Sequence, residues 1–145
     1  MRLLGPNKFT LDSAGRLTIP AKMRNWFAEK SLIVSLSRDR KYLALFPLST
    51  WAIVAERVSS LAQTRLQIDR IRLRLGKNSE ECKVDGTWRV LIPEKWRLAV
   101  GIEREVVLVG AVDKLTVWNP ETWAEAERQL DEDAELDALE EQFLV

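Results

Sequence analysis

No histidine occurs in this 145-residue chain, and its one cysteine, Cys82, has no partner for a disulfide. Without imidazole, and with a single thiol, the usual Cys/His zinc sites and the Ser–His and Cys–His nucleophile pairs are excluded. Cys82 reads as a small apolar residue at a strand edge rather than a redox sensor, and a lone thiol fits a cytoplasmic setting. No run approaches the roughly 18 apolar residues needed to cross a bilayer, and residues 1–6 lack a signal-peptide core. Paired carboxylates remain as an enzymatic option, yet none falls in a recognisable cleft pattern, so no catalytic residue, metal or cofactor is expected. Hydrophobic residues make up 46% of the chain, enough for one or two small folded domains.

Net charge is absent too, with 22 basic against 22 acidic residues, but the balance conceals a strong asymmetry. Residues 1–76 carry 14 Lys+Arg against 5 Asp+Glu, a net of +9, and residues 77–145 carry 8 against 17, a net of −9. This pattern has two readings: a basic surface for a polyanion, or two oppositely charged halves that attract each other.

What is present is a repeat. The segment from Leu11 through Asp12, Gly15, Arg16, Ile19, Pro20 and Lys22 to Arg24 aligns with that from Val84 to Arg97. At an offset of 73 residues, six of fourteen positions are identical. A later block, Leu45-Phe46-Pro47-Leu48-Ser49-Thr50-Trp51, parallels Val117-Trp118-Asn119-Pro120-Glu121-Thr122-Trp123 at an offset of 72. Two matching blocks in one order divide the chain into copies at 1–76 and 77–145.

Each copy predicts the same string of elements. Residues 8–11 form a strand, and 12–15 a turn opened by Asp12 with Gly15 late in it. Residues 16–19 alternate as a strand does, and Pro20 starts a helix to about Ala28 that buries Met23 and Phe27. Residues 32–34 and 42–46 form a hairpin. The counterparts are residues 89–92, a helix from Pro93, and strands at 105–109 and 115–118. Ser49 is expected to cap a longer helix with Trp51, Val54, Val58 and Leu61 on one face. Residues 68–75 alternate like a strand but also carry a helical stripe; the expectation is a helix ending at Gly76. Asn119 and Pro120 start a helix burying Trp123, Ala126 and Leu130. Residues 131–135 form a solvated acidic face rather than a cation site, followed by Leu136, Leu139 and Phe143 in a frayed helix or an interaction segment. Trp51, Trp118 and Trp123 belong to the core or to subunit contacts, whereas Trp88 falls on an exposed loop.

A module this small buries little core alone, so two copies are expected to interlock about a pseudo-two-fold axis. Such an axis presents the two Asp-x-x-x-Arg loops as a symmetric pair, which suits the local symmetry of duplex DNA. Arg16 and Arg89 offer planar forks for phosphate or a guanine edge. Asp12 and Asp85 organise the loops, either by accepting from loop amides or by pairing with the arginine. Lys22, Arg24, Lys95 and Arg97, with Lys8, are candidates for flanking phosphates. The alternative is that the Asp–Arg pairs are turn salt bridges and nothing more.

These residues resemble the MraZ family. The resemblance rests on the twin motifs from Asp12 to Pro20 and from Asp85 to Pro93. Gly5 seven residues before Asp12, Phe46-Pro47-Leu48-x-x-Trp51 and Glu81-Cys82-Lys83-Val84-Asp85 add to it, so that it covers essentially the whole chain. It implies an α+β, mostly β fold: a pseudo-two-fold swapped-hairpin AbrB-like β barrel with connecting and C-terminal helices. It further implies a bacterial, cytoplasmic and nucleoid-associated transcriptional regulator. Such a protein binds repeats of double-stranded DNA in the promoter of its own division and cell-wall gene cluster and assembles into a ring-shaped homo-oligomer. Arg16 and Arg89 become the leading DNA contacts. A non-enzymatic scaffold, with its acidic tail on a protein partner, is the rival reading; a single-copy AbrB-like antitoxin fits less well with two full copies. Trp88 stands where Gly15 stands in the first loop. Because tryptophan disfavours φ > 0, the second loop is expected to differ in shape and Arg16 to carry most of the binding.

Overall fold

A computed structural model describes the backbone of residues 5–144 and the side chains of 5–142. Strands β1 (Asn7–Thr10) and β2 (Arg16–Thr18) flank the first Asp loop, and a single 3-10 turn (Ala21–Met23) follows Pro20. The hairpin β3 (Ser31–Leu36) and β4 (Tyr42–Pro47) leads into the helices α1 (Leu48–Ser60) and α2 (Arg65–Lys77). The second half repeats the order as β5 (Ser79–Lys83), β6 (Arg89–Leu91), α3 (Glu94–Ala99), β7 (Glu105–Gly110), β8 (Leu115–Trp118), α4 (Pro120–Asp131) and α5 (Ala134–Leu144).

The strands exchange partners between halves. A six-stranded antiparallel sheet runs β1-β7-β8-β4-β3-β5, and β2 pairs with β6 in a separate ribbon. The first strand of each half therefore pairs with the third strand of the other, β1 with β7 and β5 with β3. The same five positions at the 73-residue offset are buried in both halves: Leu11 and Val84, Leu17 and Val90, Ile19 and Ile92, Met23 and Trp96, Phe27 and Val100. They pack into one apolar cluster, which is what two small half-cores need in order to exclude water.

Several expectations require correction. No closed barrel forms among the described residues: β1 and β5 remain edges of the large sheet, and β2 and β6, three residues each, are too short to bridge them. Helix is not a minor component, with 55 residues in α1 to α5 against 37 in strands. The helix expected from Pro20 to Ala28 is one 3-10 turn followed by irregular turns, although Met23 and Phe27 are buried as expected. Asn25, Trp26 and Phe27 are middling helix formers, whereas Glu94-Lys95-Trp96-Arg97-Leu98-Ala99 in the second half supplies several good ones. Ser49 lies inside α1, which begins at Leu48 after Pro47 without a side-chain cap. Leu130 is exposed rather than buried, and Leu61, expected on the apolar face of α1, is exposed just past its last residue.

Other expectations hold. Residues 68–75 are helical within α2, whose N-terminus is capped by Thr64 through a bond from the Gln67 amide at 3.1 Å. Asn119 caps α4, with Pro120 in its first turn. Cys82 is buried in the edge strand β5, and burial, with Glu80 and Glu81 nearby, pushes its thiol up to about 11, leaving it an inert apolar filler at neutral pH. Residues 1–4 and the side chain of Phe143 lie outside the described residues. Among the described residues no helix is long and apolar enough to cross a membrane.

Candidate nucleic-acid interface

The two Asp-x-x-x-Arg loops are built alike. In the first, Asp12 Oδ1 accepts from the amides of Ala14 at 3.0 Å and Arg16 at 2.9 Å, and Asp12 Oδ2 accepts from Arg16 Nε at 2.7 Å. In the second, Asp85 Oδ1 accepts from the amides of Thr87 and Arg89, both at 2.9 Å, and Asp85 Oδ2 accepts from Arg89 Nε at 3.0 Å. Both alternatives left open for the aspartate are thus realised at once. The bonds donated to each carboxylate, with the arginine amide's the strongest influence, hold Asp12 and Asp85 below the usual carboxylate range despite partial desolvation. Both are ionised at neutral pH.

The expected difference in shape between the loops does not occur. Gly15 has φ +91 and Trp88 has φ +63, so tryptophan occupies the left-handed region that glycine favours. Its cost, of order 1–2 kcal/mol, is offset by contacts from the first half. Lys30 Nζ sits 3.5 Å from the ring centroid and the Arg24 guanidinium 5.7 Å from it, and the ring packs against the core. Trp88 is therefore half-buried rather than exposed.

Each loop is also braced by an arginine from the other half. Arg97 donates from Nε to Ile92 O at 2.9 Å, and its guanidinium lies where a Cβ on Gly15 would fall, 2.7 Å from Cζ. Arg24 donates to Ile19 O at 3.2 Å and reaches Trp88. Backbone bonds complete the exchange: Ile92 N to Gly15 O at 3.1 Å and Ile19 N to Trp88 O at 2.7 Å. Gly15→Ala should therefore cost about 1–2 kcal/mol, combining an unfavourable φ with displacement of Arg97. The expected fall in Tm is a few degrees; an unchanged Tm would mean that Arg97 moves aside freely.

The ribbon register sets the position of the arginines. Arg16 pairs with Leu91, Leu17 with Val90, and Thr18 with Arg89. Leu17 and Val90 point inward and are buried, so alternation turns Arg16, Thr18, Arg89 and Leu91 to the outer face. Diagonal neighbours across such a ribbon lie about 7–8 Å apart. The Arg16 and Arg89 side chains are 38% and 37% exposed. Each aspartate occupies the Nε edge of its arginine, fixing the guanidinium plane, and neither Nη1 nor Nη2 is bonded to another described residue. What remains is a pair of oriented two-donor forks on one outward surface.

The model of the MraZ protein family matches this chain twice, over residues 3–71 and 77–145. A relative from Salmonella paratyphi A, named Transcriptional regulator MraZ, is 33% identical over 139 residues, covering 94% of this chain and 91% of its own. A relative of the same name from Sodalis glossinidius is 32% identical over 137 residues, covering 92% and 90%. The chain belongs to the MraZ family.

For this member of the MraZ family, the sequence-predicted site residues separate into three groups. Arg16 and Arg89, with their aspartates, meet on the ribbon. Arg24 and Arg97 spend their Nε donors and one face on the loops and carbonyls of the fold. Lys22 is exposed, whereas Lys95 pairs with Glu80 at 3.0 Å and lies over Trp96. Lys8 is exposed on the outer strand β1, away from the ribbon pairing. Sequence reasoning missed Thr18 and Leu91 as outward companions of the arginines, although the period-2 alternation of residues 16–19 implied Thr18. It also missed Lys30, whose contact with Trp88 has no local signature.

Proposed function

We propose that this chain is a sequence-specific DNA-binding transcriptional regulator that recognises repeats in the promoter of its own division and cell-wall gene cluster. In this reading Arg16 and Arg89 contact DNA as a pair, Asp12 and Asp85 hold their forks, and Lys22 and Lys95 lie on flanking phosphates. Arg24 and Arg97 brace the loops through Nε and a guanidinium face and reach flanking phosphates through their remaining donors, with Lys8 as a further phosphate contact. Residues 1–76 and 77–145 form one interlocked unit of the swapped-hairpin AbrB-like kind, and several such units assemble into a ring in the bacterial cytoplasm, at the nucleoid. The observation that carries the reading is the shared outward face on which two oriented guanidiniums stand free. The names of the relatives, both transcriptional regulators, point the same way.

The rival reading, a scaffold in which the Asp–Arg pairs only clamp turns, draws on the completeness of the loop hydrogen bonding. Exposed ion pairs contribute little, about 0–1 kcal/mol, so the clamp alone is a weak reason for two such pairs. Titrating the wild type against DNA from upstream of its own gene, with random DNA of equal length as control, separates the two. A regulator prefers its own promoter, loses affinity steeply with salt, and binds several repeats in phase far more tightly than one. Weak, salt-insensitive binding without preference would give the scaffold reading the lead.

A further inference from the structure

The positive charge of the first half is not concentrated on the ribbon. Arg65, Arg70, Arg72 and Arg74 all lie on α2, with Asp69 its only acid and Lys77 at its end. Helix α2 buries no residue fully. Ile68, Ile71 and Leu75 are half-buried on the side toward α1, and between the two helices runs a groove. Its floor is apolar, made by Val58, Leu61, Ala62 and Ile71, and its rim carries Arg70 and Arg74. Leu61, 80% exposed there, is the most exposed of the large hydrophobic side chains among the described residues.

The acidic half presents a matching shape. Helix α5 follows α4 after a two-residue break, and every described side chain on it is exposed. Leu136 and Leu139, with position 143 one turn on, fall at the i, i+3, i+7 spacing of one helical stripe. Glu135 and Glu140 flank that stripe, with Asp137 and Glu141 beyond them. An amphipathic helix bearing four acids and no base therefore stands unpartnered in the same molecule as an apolar groove rimmed by arginines.

We infer that α5 of one chain docks in the α1–α2 groove of a second copy, Leu136 and Leu139 on the apolar floor and the acidic flanks against Arg70 and Arg74. The contact is head-to-tail. Each chain offers one helix and one groove, so successive copies add in one direction and either close into a ring or run on as a filament. The opposite net charges of the two halves then act between molecules. Of the two readings of that asymmetry, attraction between halves governs α2 and α5, and the polyanion reading is left to the ribbon. This inference rests on the homo-oligomer part of the proposed function and names the surfaces that mate.

Charge reversal on each side supplies the test, with mass measured by sedimentation on the full-length chain. Arg70→Glu/Arg74→Glu gives an acidic groove rim facing an acidic helix, and Glu135→Lys/Glu140→Lys sets lysine flanks of the stripe against the arginine rim. Each variant alone should fall to the mass of one chain, 16.7 kDa, with its helical circular dichroism retained. Mixed, the two are complementary at both contacts and should reassemble to the mass of the wild type. Variants that stay assembled, or a mixture that does not reassemble, would overturn the interface. If the wild type itself is a single chain at every concentration and salt tried, the oligomer reading falls with it. An assembled wild type indifferent to all four substitutions removes only this interface.

Discussion

Replacing Arg16 and Arg89 together by alanine should abolish the preference for promoter DNA and weaken binding by about two orders of magnitude or more. The basis is geometric: both guanidiniums stand on one outward face, each with its Nε edge held by an aspartate and its remaining donors free. A single arginine contact to phosphate or a base edge is worth about 1–3 kcal/mol, or roughly 5- to 150-fold in affinity. The two sites are close neighbours, so their effects need not add, and a double-mutant cycle should report coupling. If the contacts are to phosphate, each substitution also lowers the salt slope by about 1. Arg→Lys at either position keeps the charge but loses the fork. It should cost affinity at an unchanged slope if a base edge is read.

The two single variants should differ. The loops have the same shape, which removes the conformational ground for inequality, but their surroundings are not the same. Lys95 is tied to Glu80 within the half that carries the net −9, while Lys22 makes no ion pair with another described residue. Arg16→Ala should accordingly cost more than Arg89→Ala in the same buffer, and equal losses would refute that asymmetry. Melting curves complete the comparison. An arginine that only clamps its turn would lower Tm on substitution and leave DNA affinity alone.

Much of this arrangement was legible in the sequence because it is local or periodic. The 73-residue repeat aligns four apolar pairs that are all buried, the alternation of residues 16–19, with 89–92 as its counterpart, covers the ribbon strands, and the hairpin of the first half falls where its apolar runs lie. The Asp-x-x-x-Arg spacing announced a carboxylate able to reach both amide and guanidinium. The features that escaped depend on contacts between halves. Nothing near Trp88 in sequence indicates that Lys30 and Arg24, about sixty residues earlier, will hold it at φ > 0. For the same reason the bracing contacts of Arg24 and Arg97 escaped: their basic character is visible in the sequence, but the loop each one braces belongs to the other copy. The charge asymmetry was visible as well, but a count over half a chain does not separate the ribbon from α2.

Leu17→Ala should be strongly destabilising, and its effect should reach a loop far away in sequence. Leu17 is 1% exposed and lies opposite Val90 at the centre of the ribbon, beneath both arginines. Truncating a buried leucine costs about 2–5 kcal/mol through lost transfer energy and the cavity left behind. For a chain of this size each kcal/mol lowers Tm by roughly 2–4 °C, so a fall of about 4–20 °C is expected. Leu91→Ala is the matched control: it lies on the same ribbon but on the outward face, and should change stability by less than about 1 kcal/mol. Amide hydrogen exchange then shows whether the halves act as one unit. Gly15 and Trp88 amides each bond to the aspartate carbonyl of their own loop, at 3.0 and 3.1 Å, while the carbonyls of the same two residues accept from Ile92 and Ile19 of the opposite half. A cavity under Leu17 should therefore loosen both sets together, accelerating exchange at Trp88 and Arg89 as much as at Gly15 and Arg16. Faster exchange in the first loop alone would mean that each copy holds its own arginine, and that the exchanged strands join two independent sites.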